Sequence, residues 1–168
     1  MAVSTSNLVS GAAKFQMVGT QLAHTFGGIQ AKMSPKNRMR KVDQYGESAV
    51  DIVHQGDDVR MTVPFAEWTA AVMQKIYNPG ADNTASGTGA FLGVGRSAGF
   101  IYTIATADII PLLAADAAKK ISFTRVTPIG DFSIAFDNEK DRIISVDYAC
   151  LVDTTLQDGL LIGKIYLN

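Results

Sequence analysis

Alternation of apolar and polar positions is clearest over residues 42–76, VDQYGESAVDIVHQGDDVRMTVPFAEWTAAVMQKI. Residues 50–55 alternate, residues 59–63 alternate, and Gly56, Asp57 and Asp58 stand between them. A Gly-Asp pair between two alternating runs predicts a hairpin with a two-residue turn. Such a turn sets Gln55 opposite Asp58, Ile52 opposite Met61 and Val50 opposite Val63. Val50, Ile52, Met61 and Val63 then share a core-facing side, while Asp51 with Thr62 and Val53 with Arg60 take the other. The period next changes to three and four. Phe65, Trp68, Val72 and Ile76 predict an amphipathic helix over about 64–77. Pro64 suits its first position, Glu67 and Lys75 suit its two ends, and Asn78, Pro79 and Gly80 stop it. The helix is expected to cover the hairpin's apolar face, with Trp68 and Val72 in the core.

The remaining pattern is mainly β. Residues 1–12 are small and polar and read as an N-terminal arm. Residues 15–18 form a possible strand, and Gly27 with Gly28 marks a turn. Residues 30–48 and 78–98 read as long loops, the first interrupted by Pro35 and the second rich in Gly, Ser, Thr and Asn. Strands are expected at residues 100–105, 121–125, 132–136, 143–152 and 161–167. A helical turn is expected at 111–115, and chain turns at 128–130, 137–141 and 157–159. Short strands at this spacing predict a β-sandwich or barrel with one flanking helix, in a single domain spanning 1–168.

Composition sharpens this picture. Charged residues are 18% of the 168 residues, hydrophobic residues 47%, and the formal net charge is −1. Ordinary soluble domains carry roughly 25% charged residues, so this composition fits either a near-neutral surface that favours association or a monomer with a large core. The balance argues against a general nucleic-acid binder. No secretory signal or membrane-spanning run is visible, and synthesis inside the cell is the expectation. The one cysteine, Cys150, excludes an internal disulfide. The most biased segment holds Lys32, Lys36, Arg38, Arg40 and Lys41 with no acid before Asp43. It reads as a contact with an acidic partner surface or nucleic acid, or as a solvated loop.

No catalytic set emerges. His54 continues the Val50 and Ile52 face and reads as a packing histidine at a core rim. His24 has no paired ligand, Cys150 reads as a buried inert thiol, and the three are not spaced as metal ligands. Asp137, Glu139 and Asp141 resemble the start of a calcium loop, but Arg142 and Tyr148 stand where Gly and Glu are needed. Around Gly95, Arg96 and Ser97 a phosphate loop fails likewise, with Ala90 at its first glycine and Arg96 at its lysine. The expectation is no enzyme, no metal and no cofactor.

The order of these elements resembles the tail tube (major tail) proteins of tailed bacteriophages. The resemblance rests on VDIVHQGDDVRMTV, on FAEWTAAVMQKI, on TPIGDF at 127–132, and on the closing stretches at 146–153 and 159–163. It covers most of the chain from Val42 onward as a pattern of elements. It implies a sandwich or barrel whose six copies form a ring, with inner sheets joined around a channel and rings stacked as a tube. Its implied partners are further copies of itself and other tail proteins: tape measure, terminator, and baseplate or tip. DNA would pass through the lumen without specific binding, no membrane would be involved, and the protein would reside in the virion after synthesis in the bacterial host cytoplasm.

Within that reading Lys32, Lys36, Arg38, Arg40 and Lys41 are expected to contact Asp57, Asp58, Asp137, Glu139 and Asp141 of neighbouring subunits. The channel wall is expected to be neutral or acidic, with Asp51 a candidate, and the basic segment to lie away from it. Two other readings stay open. One is a single-ring tail terminator or neck protein. The other is a β-barrel holding a small ligand near Trp68, Phe100 and Tyr102.

Overall fold

The computed structural model describes residues 11–22, 25–67, 69, 72–73, 76, 97–130 and 143–167. The chain is mainly β. Among the described residues it forms β1 (Ala13–Met17), β2 (Thr20–Gln21), β3 (Gln30–Lys41), β4 (Ala49–Phe65), β5 (Ala105–Pro111), β6 (Ile121–Ile129), β7 (Ile144–Cys150) and β8 (Gly163–Ile165). All pairings are antiparallel, in the order β2-β1-β5-β6-β7-β4-β3. β8 shares an edge of β6 with β7. Ile121 to Phe123 face β8, and Val126 to Ile129 face β7.

The core follows the period of two. Val59, Met61, Val63 and Phe65 of β4 are buried, as are Ile144, Val146, Tyr148 and Cys150 of β7 and Ala105, Ala107 and Ile109 of β5. Phe15 of β1 meets Phe65 and Tyr148, each ring at 5.9 Å, although three strands separate β1 from β4 in the sheet. The sheet therefore curls over its own apolar face. Thr25 fastens the curl, bridging to Phe65 and donating from Oγ1 to the Ala13 carbonyl at 3.4 Å. Phe26 N–H donates to the Pro64 carbonyl at 3.1 Å.

Several expectations are corrected. Residues 50–63 are not a hairpin, because β4 runs unbroken through Gly56 and Asp57. Its true partner is β3, and the turn lies at 42–48, around a 3₁₀ turn at Asp43–Tyr45. Gly56 instead forms a bulge, with φ of 135° and Gln55 left unpaired between Lys36 and Asn37 of the partner strand. Ile52 pairs Met39, and Met61 pairs Ala31 and Tyr148. Met61 and Val63 are buried as expected, but Val50 and Ile52 are 49% and 60% exposed, so neither is a core residue.

The basic segment expected as a loop is strand β3. Pro35 is tolerated because β3 is the edge of the sheet among the described residues and needs no donor on its outer side. The helix cannot begin at Pro64, since Pro64 and Phe65 still pair with Ser145 and Ile144. Val72, Met73 and Ile76 are helical and buried, and Met73 N–H donates to the Thr69 carbonyl at 2.9 Å. Trp68 lies outside the described residues.

Residues 101–104 carry no strand, with Ile101 85% exposed, and β5 begins only at Ala105. The turn expected at 111–115 falls at Ala114–Asp116. Pro128 stays within β6 opposite Tyr148, and the chain turns later at Gly130, with φ of 83°. The final strand shrinks to Gly163–Ile165. The arm at 1–10, most of the loop at 78–98, and residues 131–142 with Asp137, Glu139 and Asp141 lie outside the described residues.

Candidate interaction surface

The feature set apart from the core is the distal half of the β3–β4 ribbon. β7 pairs β4 only over Val59 to Phe65. Below Val59, β4 pairs β3 alone among the described residues, so the ribbon projects with both edges free. Residues 36–41 alone span roughly 20 Å at the rise of a strand. A two-stranded ribbon is marginal in water on its own.

Register and strand alternation separate two faces. One carries Met33, Pro35, Asn37 and Met39 of β3 with Val59, Asp57, His54 and Ile52 of β4. It continues the core face beyond the body, leaving Met33 43%, Met39 65% and Ile52 60% exposed. The other face carries Lys32, Lys36, Arg38 and Arg40 of β3 with Arg60, Asp58, Val53 and Asp51 of β4. It sets five cations against two carboxylates.

The ion pairs of this second face are exposed. Arg40 Nη1 lies 3.7 Å from Asp51 Oδ2, and Arg60 Nε donates to Asp58 Oδ1 at 3.2 Å. The Arg60 hydrogen bond, helped by the charges of Arg60, Lys36 and Lys32, holds the Asp58 carboxyl below the usual carboxylate range. Among the described residues Lys32, Lys36 and Arg38 make no ion pair within the chain. Lys41 and Glu47 close the tip as a pair.

His54 is corrected from a packing residue at a core rim. Its side chain is exposed, with Nδ1 3.2 Å from Asn37 Oδ1 and Nε2 3.4 Å from Asp57 Oδ2. Asp57 and Asp58 are not turn residues; they lie in mid-strand on opposite faces. Asp51 and Arg40 share one face and pair with each other. The basic face was legible in principle. Lys32, Lys36, Arg38 and Arg40 fall at even positions, with Met33 and Met39 at odd ones, which is the alternation of a strand.

Under the ribbon an open groove of about 1050 Å³ is lined by Met33, His54, Asp57 and Val59 from the ribbon side, and by Phe123 and Leu161 opposite. Phe100 and Tyr102 pack edge to face at 5.4 Å and do not line it. Cys150 is buried as expected, and burial pushes its thiol up to about 12. His24 lies outside the described residues. Among the described residues no cluster of His, Cys, Asp and Glu has the form of a metal site, and no helix is long and apolar enough to cross a membrane.

Compared with known proteins, the chain matches no family model and no curated protein.

Proposed function

We propose that the protein is a structural subunit that assembles into hexameric rings, and that these rings stack as the tail tube of a bacteriophage, forming the channel for genome delivery. The observation that carries the assembly is the ribbon, which among the described residues leaves an apolar face exposed and two backbone edges unpaired. Exposed apolar surface of this kind marks interaction sites, and burying a Met or Ile side chain contributes about 1.5–3 kcal/mol. In this reading the curled sheet is a sandwich or barrel, flanked by a helix that starts after Phe65.

The tail assignment rests on the sequence resemblance. Of the features behind it, residues 50–63 lie in one strand rather than a hairpin, while the described part of the late run holds β6, β7 and β8. The proposed partners are further copies of the chain, then tape measure, terminator, and baseplate or tip proteins, in the virion. DNA would pass through without specific binding, and neither enzymatic activity nor a cofactor is part of the reading. A single-ring terminator or neck protein would use the same surface. The groove favours a different second reading, a monomer that binds a small apolar ligand.

Sedimentation and electron microscopy across a range of protein concentrations test the proposal. Rings and stacked tubes are the expected products. Isolated rings that never stack would favour the terminator or neck reading. A monomer at every concentration, saturably binding an apolar dye in the groove, would overturn self-assembly.

A further inference from the structure

The basic face of the ribbon carries charge that folding alone does not call for. Lys32 stands directly opposite Arg60 in the β3–β4 register, and like charges so placed destabilise a strand pair. Among the described residues Lys32, Lys36 and Arg38 have no carboxylate partner within the chain. The net charge of −1 hides this concentration, because a single face gathers five cations against Asp51 and Asp58. We propose that this face binds the phosphate backbone of duplex DNA. The assembly reading uses the apolar face behind it, with Met39 and Ile52, so the inference goes beyond that reading and does not depend on it.

The geometry favours a duplex over other polyanions. Lys32, Lys36, Arg38 and Arg40 lie at alternate positions of one strand, about 7 Å per step and about 27 Å from first to last. A duplex presents one charge per about 1.7 Å of its axis, so cations at uneven intervals on two strands all meet phosphate. An acidic protein surface would need a carboxylate matched to each of them. A two-stranded ribbon also fits the major groove of B-form DNA, which is about 12 Å wide, and this ribbon projects with both edges free among the described residues. An RNA duplex offers only a deep, narrow groove there. Among the described residues the face carries no aromatic ring on which unpaired bases could stack, as sites for single strands do. Contacts to phosphate carry no sequence information, so the binding is independent of sequence.

Titration of the full chain into a fluorescently labelled DNA duplex of arbitrary sequence, between about 50 and about 200 mM salt, tests the inference. Binding is expected to weaken with salt at a logarithmic slope of about −3, near one phosphate for each cation without a carboxylate. Lys36→Gln with Arg38→Gln is expected to weaken binding by about tenfold or more at the lower salt and to bring the slope down by about two. Lys164→Gln, in the groove on the other side of the ribbon, is expected to leave the slope unchanged. Amide exchange within 30–41 shows whether the double variant keeps its ribbon. Where it does not, Lys36→Gln alone decides, with a slope lower by about one.

No binding at about 50 mM salt, or a slope that the Lys36 and Arg38 changes leave alone, would overturn the inference. Tighter binding of a single strand of equal length would overturn the duplex assignment. Binding of polyglutamate in place of the duplex would give the face to an acidic protein and overturn it as well. Sedimentation of the same samples reads assembly separately. Tubes that bind no duplex overturn this inference alone, and a monomer that binds duplex with the expected slope upholds it while overturning self-assembly.

Discussion

Tyr148 shows what burial does to one side chain. It stands opposite Met61 and Pro128, its ring lies against Phe15, and it is fully buried. Its hydroxyl has no hydrogen-bond partner among the described residues, and burial raises its pKa so that it stays neutral. A buried donor without a partner carries a desolvation cost of about 1–3 kcal/mol. Tyr148→Phe keeps the ring and removes that cost. It is expected to stabilise the fold by about 1 kcal/mol, read as a higher midpoint in urea at unchanged slope. A lower midpoint would mean the hydroxyl has found a partner.

At the scale of elements, the ribbon contrasts with its own base. Met61 is clamped between β3 and β7 and Phe65 between the Thr25 segment and β7, while residues 49–58 have β3 alone among the described residues. Few buried contacts and free backbone edges place the distal ribbon at the low end of local stability. Trypsin is therefore expected to cut after Lys36, Arg38 and Arg40 in dilute protein and to be excluded in the assembly. Equal cutting in both would show that the ribbon stays solvated and has no part in the interface. High salt should weaken the charge contribution to that protection, because exposed pairs are screened over about 10 Å at 0.1 M ionic strength.

For the whole molecule, the proposed assembly would have one strand serve both folding and association. Met61 and Ile52 both belong to β4 and to the same apolar face, but one is fully buried and the other exposed. Met61→Ala is expected to cost about 2–5 kcal/mol in the dilute monomer, through the cavity it leaves. Ile52→Ala is expected to change monomer stability by no more than about 0.5 kcal/mol. It should instead raise the concentration needed for assembly, measured by sedimentation. An Ile52→Ala protein that unfolds as readily as Met61→Ala would place Ile52 in the core after all. One that assembles like wild type would remove the ribbon's apolar face from the interface.

The sequence by itself determined the β character and part of the inward-facing set, Met61, Val63 and Val72. Alternation at 59–63 and within 143–152 is a local property, imposed by the period of a strand with one side buried. It also marked Cys150 as a buried thiol. Local pattern did not determine which strand pairs with which. Gly56 and Asp57 suit a turn and a bulge equally well, and only the register with β3 selects the bulge. That choice moved the turn to 42–48 and turned a supposed basic loop into an edge strand. It also carried Val50 and Ile52 beyond the body. Apolar alternation fixes which way a side chain points, but burial requires something opposite it. In this chain that depends on β7 ending its pairing with β4 at Val59, a contact between residues far apart in sequence.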